Sequence, residues 1–357
     1  MADFGRELET NLKQVSTHLR RGTFEFSPLQ PHFIPKANGK NRLICVPTVR
    51  DRVVQRAILN FLTPKSGSWL ANGISFGFVP DLGVPDAVDH AVRYRNSSPW
   101  VFKTDITAFF DRVDRAELMR RVRAQIRHRS LWPLLDAVIA CEIHTGGVKD
   151  VQRLKALDIR PGRGVRQGMP LSPYFANLML APFDRACATR GLKAVRYADD
   201  LIFFTTTRDE ALAIDAFCRE SLGQLHLEIP PLGPDSKSQI YHPTEAADFL
   251  GVELRQSARG GYEVALGKSQ FDEVKKRVYS FGNLTELQAR GLDITKFGNA
   301  LRATTSAYSA TYEFCCNAKD LENHLETWKA QALLKVVSAL GLDVTKLTAM
   351  QRWFLGL

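Results

Sequence analysis

The chain has 357 residues, 45% of them hydrophobic, and a formal net charge of +10 at pH 7. This composition excludes a disordered chain, and the positive charge favours a polyanion as partner. The six cysteines lack C-x-x-C spacing and the eight histidines are scattered, which argues against a structural zinc site and a disulfide framework.

The N-terminal segment, residues 1–30, is predicted to carry a short amphipathic helix at roughly Phe4 to Leu19. No secretory signal is recognisable in it, and prolines, glycines and polar residues interrupt the longest uncharged stretches of the chain. We therefore expect a cytoplasmic protein that does not enter a membrane.

The next element, residues 34–44, reads as a hairpin with Asn38-Gly39 at its turn. Lys36, Lys40 and Arg42 surround this turn. Such a turn can place cations over a triphosphate, where an arginine binds bidentately. A solvated surface hairpin is the alternative that this segment alone leaves open.

A strand pattern at residues 101–105 ends in Asp105 and is followed by the pair Phe109-Phe110. Open sheets present ligand groups at strand ends. Two-metal phosphoryl transfer uses carboxylates from separate strands to hold two ions about 3.5 to 4 Å apart. The alternative is that Asp105 caps a helix beginning at Ile106, because aspartate is a favoured N-cap.

Two basic stretches are predicted to lie on helices and to track phosphates along a duplex, with a solvated helical face as the alternative. They comprise Arg120, Arg121, Arg123, Arg127, His128 and Arg129 in the first, and Lys268, Lys275, Lys276 and Arg277 in the second.

After Asp105 and before the acidic segment at Asp199-Asp200, residues 163–173 read RGVRQGMPLSP. Glycine permits close approach of the backbone to a ligand, and Ser172-Pro173 is a typical helix start. The loop suits a nucleotide packed against the backbone, although an ordinary glycine loop before a helix has the same pattern.

The most informative segment is Tyr197-Ala198-Asp199-Asp200, which lies between two apolar runs and predicts a hairpin with two carboxylates at or beside its turn. Adjacent carboxylates raise one another's pKa unless a cation neutralises them. Ligation by oxygen alone favours Mg²⁺ or Mn²⁺. A solvated acidic turn is the alternative for the tetrapeptide taken alone.

From about residue 265 onward, apolar residues recur at helical spacing, which predicts a helical C-terminal region. The stripe comprises Leu321, Leu325, Trp328, Leu333, Val336, Val337 and Leu340.

Taken in order, these motifs resemble a reverse transcriptase of the compact bacterial kind: retron-like, group II intron-like or phage-defence-associated. The resemblance covers roughly residues 30 to 255. The matching segments are Pro35 to Arg42, Asp51 to Gln55 (DRVVQ), Ser75 to Pro80 (SFGFVP), Asp105 to Asp111 (DITAFFD), Arg166 to Pro173 (RQGMPLSP), Tyr197 to Asp200 (YADD), Lys237, and Phe249 to Gly251 (FLG).

The resemblance implies an α+β fold of the right-hand polymerase type, with fingers, a palm whose antiparallel sheet carries the YADD hairpin, and a helical thumb. Residues 1–30 would form an N-terminal helical extension, residues 31–265 the fingers and palm, and residues 266–357 the thumb.

The resemblance also implies catalytic and metal-binding roles. Asp105 and Asp199 match the aspartates that hold two Mg²⁺ ions, with Mn²⁺ as an alternative, and Asp200 matches the third acidic residue, beside the primer terminus. The main chain of Ile106 is a further candidate metal ligand. Lys237 matches a lysine proposed to protonate the pyrophosphate leaving group.

The resemblance also implies which residues contact the substrate. Arg42 matches the residue that contacts the incoming triphosphate, with Lys36 and Lys40 as helpers. Gln167, followed by Gly168, matches the residue that lies against nucleotide and template. Phe110 falls where the family places an aromatic ring that collides with a ribose 2′-hydroxyl, which predicts incorporation of deoxynucleotides.

The implied activity is RNA-directed DNA polymerisation, with an RNA template, a DNA product and deoxynucleoside triphosphates. We expect a structured non-coding RNA partner and a role in antiviral defence. Residues 86–90 (DAVDH) only approximate the retron N-A-x-x-H signature, and the retron V-T-G signature is absent.

Other interpretations stay open at this point. They are a retron or group II intron-type reverse transcriptase, an RNA-templated RNA polymerase, and a non-catalytic RNA-binding scaffold. Phe110 disfavours the RNA polymerase, and the three intact acidic positions disfavour the scaffold. The sequence does not decide between a monomer, a homo-oligomer and a complex with a partner protein.

Overall fold

A computed structural model describes residues 2–35 and 41–355 of the chain. The α-helices in this part are α1 (Ala2–Arg6), α2 (Leu8–Arg21), α3 (Val49–Leu62), α4 (Val84–Ser97), α5 (Phe109–Arg112), α6 (Arg115–Gln125), α7 (Trp132–Ala140), α8 (Val148–Ala156), α9 (Ser172–Thr189), α10 (Arg208–Gly223), α11 (Lys268–Tyr279), α12 (Leu284–Ala289), α13 (Ile294–Thr311), α14 (Ala318–Ala339) and α15 (Ala349–Leu355). The strands are β1 (Gln30–Pro35), β2 (Asn41–Val46), β3 (Trp100–Asp105), β4 (Lys193–Tyr197), β5 (Asp200–Thr205), β6 (Gln239–Tyr241), β7 (Ala247–Phe249), β8 (Val252–Gln256) and β9 (Tyr262–Ala265).

The chain divides into two compact units. Unit 1 comprises residues 1–90 and 97–240, and unit 2 comprises residues 91–96 and 241–357. The predicted boundaries at residues 30 and 265, between extension, palm and thumb, stay predictions.

A four-stranded sheet in the order β4-β5-β3-β6 forms the centre of unit 1. The strand β5 pairs antiparallel with both β3 and β4. Its residues from Leu201 to Thr205 are all buried, as expected for a central strand covered on both faces. Helix α10 packs on β3 and β5, and the largely buried helix α9 completes the core.

Strands β1 and β2 form the predicted antiparallel hairpin, in a register that pairs Pro35 with Asn41. The turn itself, including Asn38-Gly39, lies outside the described residues. Strand β2 is tied to the glycine loop because the main-chain N–H of Cys45 donates to the carbonyl oxygen of Gln167 at 2.7 Å.

Side-chain caps define where several helices begin, because each satisfies main-chain donors that lack an intrahelical partner. Thr48 accepts from the N–H of Asp51 at the start of α3, and Asp114 accepts from the N–H of Glu117 at the start of α6. Helix α6 ends at Gln125, so the predicted helical location is wrong for Arg127 and His128, whereas Arg129 begins a short 3-10 helix. The N–H of Ile126 donates to Val122, and an extended conformation at Ile126 then ends the helix.

Unit 2 combines a three-stranded antiparallel sheet, in the order β7-β8-β9, with the helices α11 to α15. The predicted apolar stripe lies on α14, where Leu321, Leu325 and Trp328 are buried, whereas Leu340 follows the helix and is exposed. Arg95, from the short segment of unit 2, is fully buried and donates to the carbonyl oxygens of Leu254, His242 and Glu245.

Helices and antiparallel sheets together confirm the predicted α+β class. In the described part of the chain, no helix has both the length and the apolar character needed to cross a membrane.

Candidate active site

A two-residue turn joins β4 to β5 and carries Asp199. Tyr197 and Asp200 are partners in the antiparallel pairing, so Ala198 and Asp199 form the turn. Ala198 has a φ of 57°, in the left-handed region that residues other than glycine seldom adopt. The predicted hairpin with its carboxylates at and beside the turn is therefore confirmed.

Asp105 is the last residue of β3 and lies opposite Asp200 in the sheet. The following helix begins at Phe109 with Ala108 as its N-cap, so the interpretation of Asp105 as a helix cap is wrong. The N–H of Ile106 donates to the carbonyl oxygen of Asp199 at 3.0 Å, which ties the end of β3 to the turn. The three acidic residues thus meet at one end of the sheet.

Burial makes the carboxyl groups of Asp199 and Asp200 costly to ionise. It is the main reason that the pKa of Asp200 is raised to about 6, and the neighbouring charge of Asp199 adds to the effect. Burial likewise raises the pKa of Asp199, with a further contribution from the charge of Asp105. A bound cation would favour the ionised form of each group.

The donor set fits Mg²⁺ or Mn²⁺, which prefer oxygen ligands. One carboxylate oxygen of Asp105, Oδ1, is buried and has no hydrogen-bond partner among the described residues. Over the same residues, no three His, Cys, Asp or Glu side chains are arranged as a ready-made metal cluster. Asp105 and Asp199 would therefore need the carbonyl of Ile106 and the substrate's phosphates to complete a coordination shell, as magnesium often does.

Lys237 forms an ion pair with the other oxygen of Asp105, Oδ2. Its side chain is otherwise largely exposed, and its charge lowers the pKa of Asp199 and of Asp200, as a smaller cause than burial. The structure thus brings the predicted lysine to the acidic cluster.

A cavity of about 550 Å³ opens beside the turn. Five of the predicted residues line it. These are Arg42, Phe110, Gln167, Gly168 and Asp199. Lys36 and Lys40, the predicted helpers of Arg42, lie outside the described residues.

Gly168 is required by the close packing of its loop against β2. A Cβ atom at this position would lie 2.5 Å from the carbonyl oxygen of Cys45, and the residue has a φ of +108°. The preceding residue, Gln167, accepts a hydrogen bond from the main-chain N–H of Cys45. The absence of a side chain at Gly168 therefore lets the loop lie against β2 and face the cavity.

Arg52, Arg56 and Phe78 also line the cavity, and sequence reasoning did not assign them to it. The two arginines are one turn apart on α3, so they share a face of the helix. The available signal was the spacing between Arg52, in the DRVVQ segment, and Arg56, directly after that segment. The aromatic ring of Phe78 is 45% exposed, in a residue with a φ of 61°.

A buried polar network supports the turn from below, and the sequence analysis missed it. Arg196 of β4 forms two hydrogen bonds with the carboxylate of Asp184, at 2.7 and 2.5 Å. It also donates to Asn177 and to the carbonyl oxygen of Ala198, each at 3.0 Å. Asn177 in turn donates to the carbonyl oxygen of Gly77 at 3.0 Å. The sequence signal for this network was the presence of Asn177 and Asp184, two polar residues two turns apart on the largely apolar helix α9.

The segment at Gly77 touches the turn directly. A Cβ atom on Gly77 would collide with the main-chain nitrogen of Ala198 and would lie 3.0 Å from the carbonyl carbon of Tyr197. Only glycine allows this approach, so the position of the turn depends on the absence of a side chain there.

Comparisons with known proteins identify a family. The family model for reverse transcriptase (RNA-dependent DNA polymerase) matches residues 34–254. Protein YkfC of Escherichia coli (strain K12) is 29% identical over 301 residues, or 71% of this chain and 74% of that protein. The Retron Ec83 reverse transcriptase of Escherichia coli is 25% identical over 181 residues, or 49% of this chain and 52% of that enzyme.

Among solved structures, telomerase from Candida albicans in complex with a TWJ fragment of telomeric RNA aligns with a TM-score of 0.45 at 14% identity. The alignment covers 94% of this chain and 65% of that protein. The chain thus spans less than two thirds of the telomerase and about half of the retron enzyme.

Proposed function

The chain belongs to the reverse transcriptase family, the RNA-directed DNA polymerases, and on this premise we propose that it extends a primer with deoxynucleotides by two-metal phosphoryl transfer. One observation carries the proposal. Asp199 lines a cavity large enough for a nucleotide, together with arginines and a phenyl ring, and Asp105 reaches the same turn from a separate strand, opposite Asp200.

In the proposed reaction, the primer's 3′-hydroxyl loses its proton to water, its oxygen bonds to the α-phosphorus of the incoming nucleotide, and the bond from that phosphorus to the pyrophosphate oxygen breaks. Two Mg²⁺ ions, or Mn²⁺, when bound would activate the attacking hydroxyl and neutralise charge on the leaving group. Asp105 and Asp199 would hold them, with the carbonyl of Ile106, and Asp200 would lie beside the primer terminus. Lys237 is within reach of this centre through its ion pair with Asp105 and would give a proton to the pyrophosphate.

The arginines of the cavity would bind the triphosphate. Arg42 is the predicted contact, and Arg52 and Arg56 add two further cations to the lining of the cavity. Gln167 and Gly168 would lie against the base and sugar. Phe110, which is almost buried in the wall, would exclude a ribose 2′-hydroxyl and so favour DNA as product over RNA.

We further propose that the natural template is a structured non-coding RNA and that the reaction serves antiviral defence. The similarity to a retron reverse transcriptase and the net charge of +10 support an RNA partner. RNA that co-purifies with the protein and is copied by it, together with loss of phage protection in an Asp199→Asn strain, would support this role. Nucleic-acid-free protein and unchanged protection would contradict it.

Primer extension tests the activity. A DNA primer on an RNA template is extended with Mg²⁺, using deoxynucleotides or ribonucleotides, with the chelator EDTA as the metal-free control. We expect deoxynucleotide extension that EDTA and Asp199→Asn abolish. Asp209→Asn, an exposed aspartate in the first turn of α10, is the matched control and is expected to leave extension unchanged.

Two results would contradict the proposal. Equal use of ribonucleotides would indicate an RNA polymerase. Absence of any extension by folded protein loaded with its co-purifying RNA would favour a non-catalytic RNA-binding scaffold.

A further inference from the structure

Unit 1 carries a surface in which one exposed and one partly exposed aromatic ring alternate with cations, at and just after the end of α3, on α6, in the segment before α7 and at the start of α7. Seven side chains form this Phe61–Trp132 surface: Phe61, Lys65, Arg123, Arg127, His128, Arg129 and Trp132. None of them lines the cavity beside Asp199.

One half of the surface is centred on Phe61, whose side chain is 41% exposed. The Lys65 ammonium nitrogen lies 4.0 Å from the centre of the ring, and the His128 ring meets it edge to face at 4.9 Å. Water-exposed apolar ring area is unfavourable, and a second flat ring is well suited to cover it.

The other half is centred on Trp132, which is partly exposed. The guanidinium of Arg129 lies 5.7 Å from the ring centre, and that of Arg123 lies 6.0 Å from it. The indole N–H donates to the carbonyl oxygen of Ile126 at 2.9 Å and fixes the orientation of the ring. Since His128 and Arg129 are consecutive, the two halves are continuous.

The cations of this surface are largely uncompensated. Lys65, Arg127 and Arg129 have no carboxylate partner among residues 2–35 and 41–355, whereas Arg123 pairs with Asp136 at 3.2 Å. Unpaired cations on an exposed surface raise the local positive potential and attract a polyanion.

We propose that the Phe61–Trp132 surface binds single-stranded RNA outside the catalytic cavity, with bases stacked on Phe61 and Trp132 and phosphates held by Lys65, Arg127 and Arg129. The assignment of RNA rests on the proposed function. Proteins that bind single strands combine aromatic rings with a cationic track, because every base has a π face and every phosphate a charge.

An acidic protein would use the same cations but would not need two ring platforms. A duplex hides the faces of its bases, so it would not use the rings either. The combination therefore favours a single strand over both.

The test measures binding of a fluorescein-labelled 20-nucleotide single-stranded RNA of mixed sequence by anisotropy, without nucleotides or Mg²⁺. Arg127→Gln/Arg129→Gln is compared with Arg185→Gln/Arg208→Gln, a pair of exposed arginines that removes the same charge from elsewhere in unit 1. Phe61→Ala is the third variant, and thermal melting confirms that each is folded.

We expect the Arg127/Arg129 variant to bind about tenfold more weakly and its log Kd against log salt slope to fall by about 1.4, or 0.7 per lost phosphate contact. Phe61→Ala should weaken binding about tenfold with an unchanged salt slope, because it removes stacking and no charge. The control pair should change Kd less than twofold.

Equal weakening by the two arginine pairs, or an unaffected Phe61→Ala, would overturn the proposal in favour of diffuse attraction or of an acidic protein as partner. The proposal for this surface and the proposal for the catalytic function can be contradicted independently. Extension of a short primer with Asp199 intact reports on catalysis, whereas the binding measurement needs neither metal nor nucleotide.

Discussion

Two adjacent phenylalanines after β3 have different environments. Phe110 forms part of the cavity wall beside Asp199, whereas Phe109 is 1% exposed and lies in the core. Their ring centres are 5.2 Å apart. We therefore expect Phe110, in its proposed role, to affect substrate choice and Phe109 to affect stability.

Phe110→Ala is expected to relax sugar selection, because it removes the ring that would collide with a 2′-hydroxyl. The ratio of deoxynucleotide to ribonucleotide kcat/KM in primer extension should fall at least tenfold. Phe109→Ala is the matched control, and it should lower the free energy of unfolding by about 3 to 5 kcal/mol while leaving the ratio unchanged. An unaltered ratio in folded Phe110→Ala would remove this residue from the sugar site.

Gly77→Ala tests how closely the turn must be positioned. The new methyl group would collide with the main chain of Ala198 and displace Asp199, so we expect kcat to fall about a hundredfold, since misplacement of reacting groups by about 1 Å costs this much. Gly223→Ala, where a Cβ atom meets nothing within 4 Å, is the control and should leave kcat unchanged. A fully active Gly77→Ala enzyme would show that the turn tolerates displacement.

At the scale of elements, we expect the buried ion pair of Arg196 with Asp184, between β4 and α9, to contribute more to the free energy of unfolding than a surface ion pair. Arg196 and Asp184 are each 1% exposed, and the guanidinium also holds the carbonyl oxygen of Ala198. A buried charge that loses its partner is strongly destabilising. The helix and strand are therefore fixed to each other directly beneath the acidic turn.

Asp184→Ala should lower the free energy of unfolding by about 3 to 5 kcal/mol, because it leaves Arg196 charged and buried. The control Glu228→Ala breaks the pair with Arg112, in which the glutamate is 74% exposed, and should cost less than about 1 kcal/mol. Denaturant unfolding measures both values. Similar losses in the two variants would show that the network does not bear on stability.

For the whole molecule, the accessibility of the cysteine thiols is a property that can be measured directly. Five of the six are buried and one, Cys316, is exposed. Burial raises the pKa of Cys45 and of Cys141 to about 12, and it also raises the pKa of Cys218. In the native protein we expect one thiol to react rapidly with a thiol reagent and six to react after denaturation.

The same burial predicts loss of stability at alkaline pH. A folded-state pKa above the unfolded value of about 9 contributes stability that is complete below pH 9 and lost as pH rises through the folded pKa. Ionisation of Cys141, whose folded-state pKa is about 12, should therefore weaken folding by about 1.4 kcal/mol per pH unit between pH 9 and 11. Cys141→Ala should make this decline shallower by that amount in denaturant unfolding, and an identical slope would contradict the assignment.

Local patterns were enough to predict much of the site. Strand periodicity and an acidic step located the hairpin at Asp199, and the strand ending at Asp105, because both depend on neighbours in sequence. The network of Arg196, Asp184 and Asn177 was missed because hydrogen bonds between a strand and a distant helix leave no local pattern. The ion pair of Lys237 with Asp105 likewise depends on which strands become neighbours.

Arg95 has a consequence for how this protein can be rearranged by recombination. Its guanidinium holds the carbonyl oxygens of Leu254, His242 and Glu245, yet it is encoded well before them, inside helix α4. A graft of residues 241–357 onto another polymerase would leave three carbonyl groups without their donor. We therefore expect residues 241–357 to be transferable between polymerases only together with residues 91–96, the other segment of unit 2.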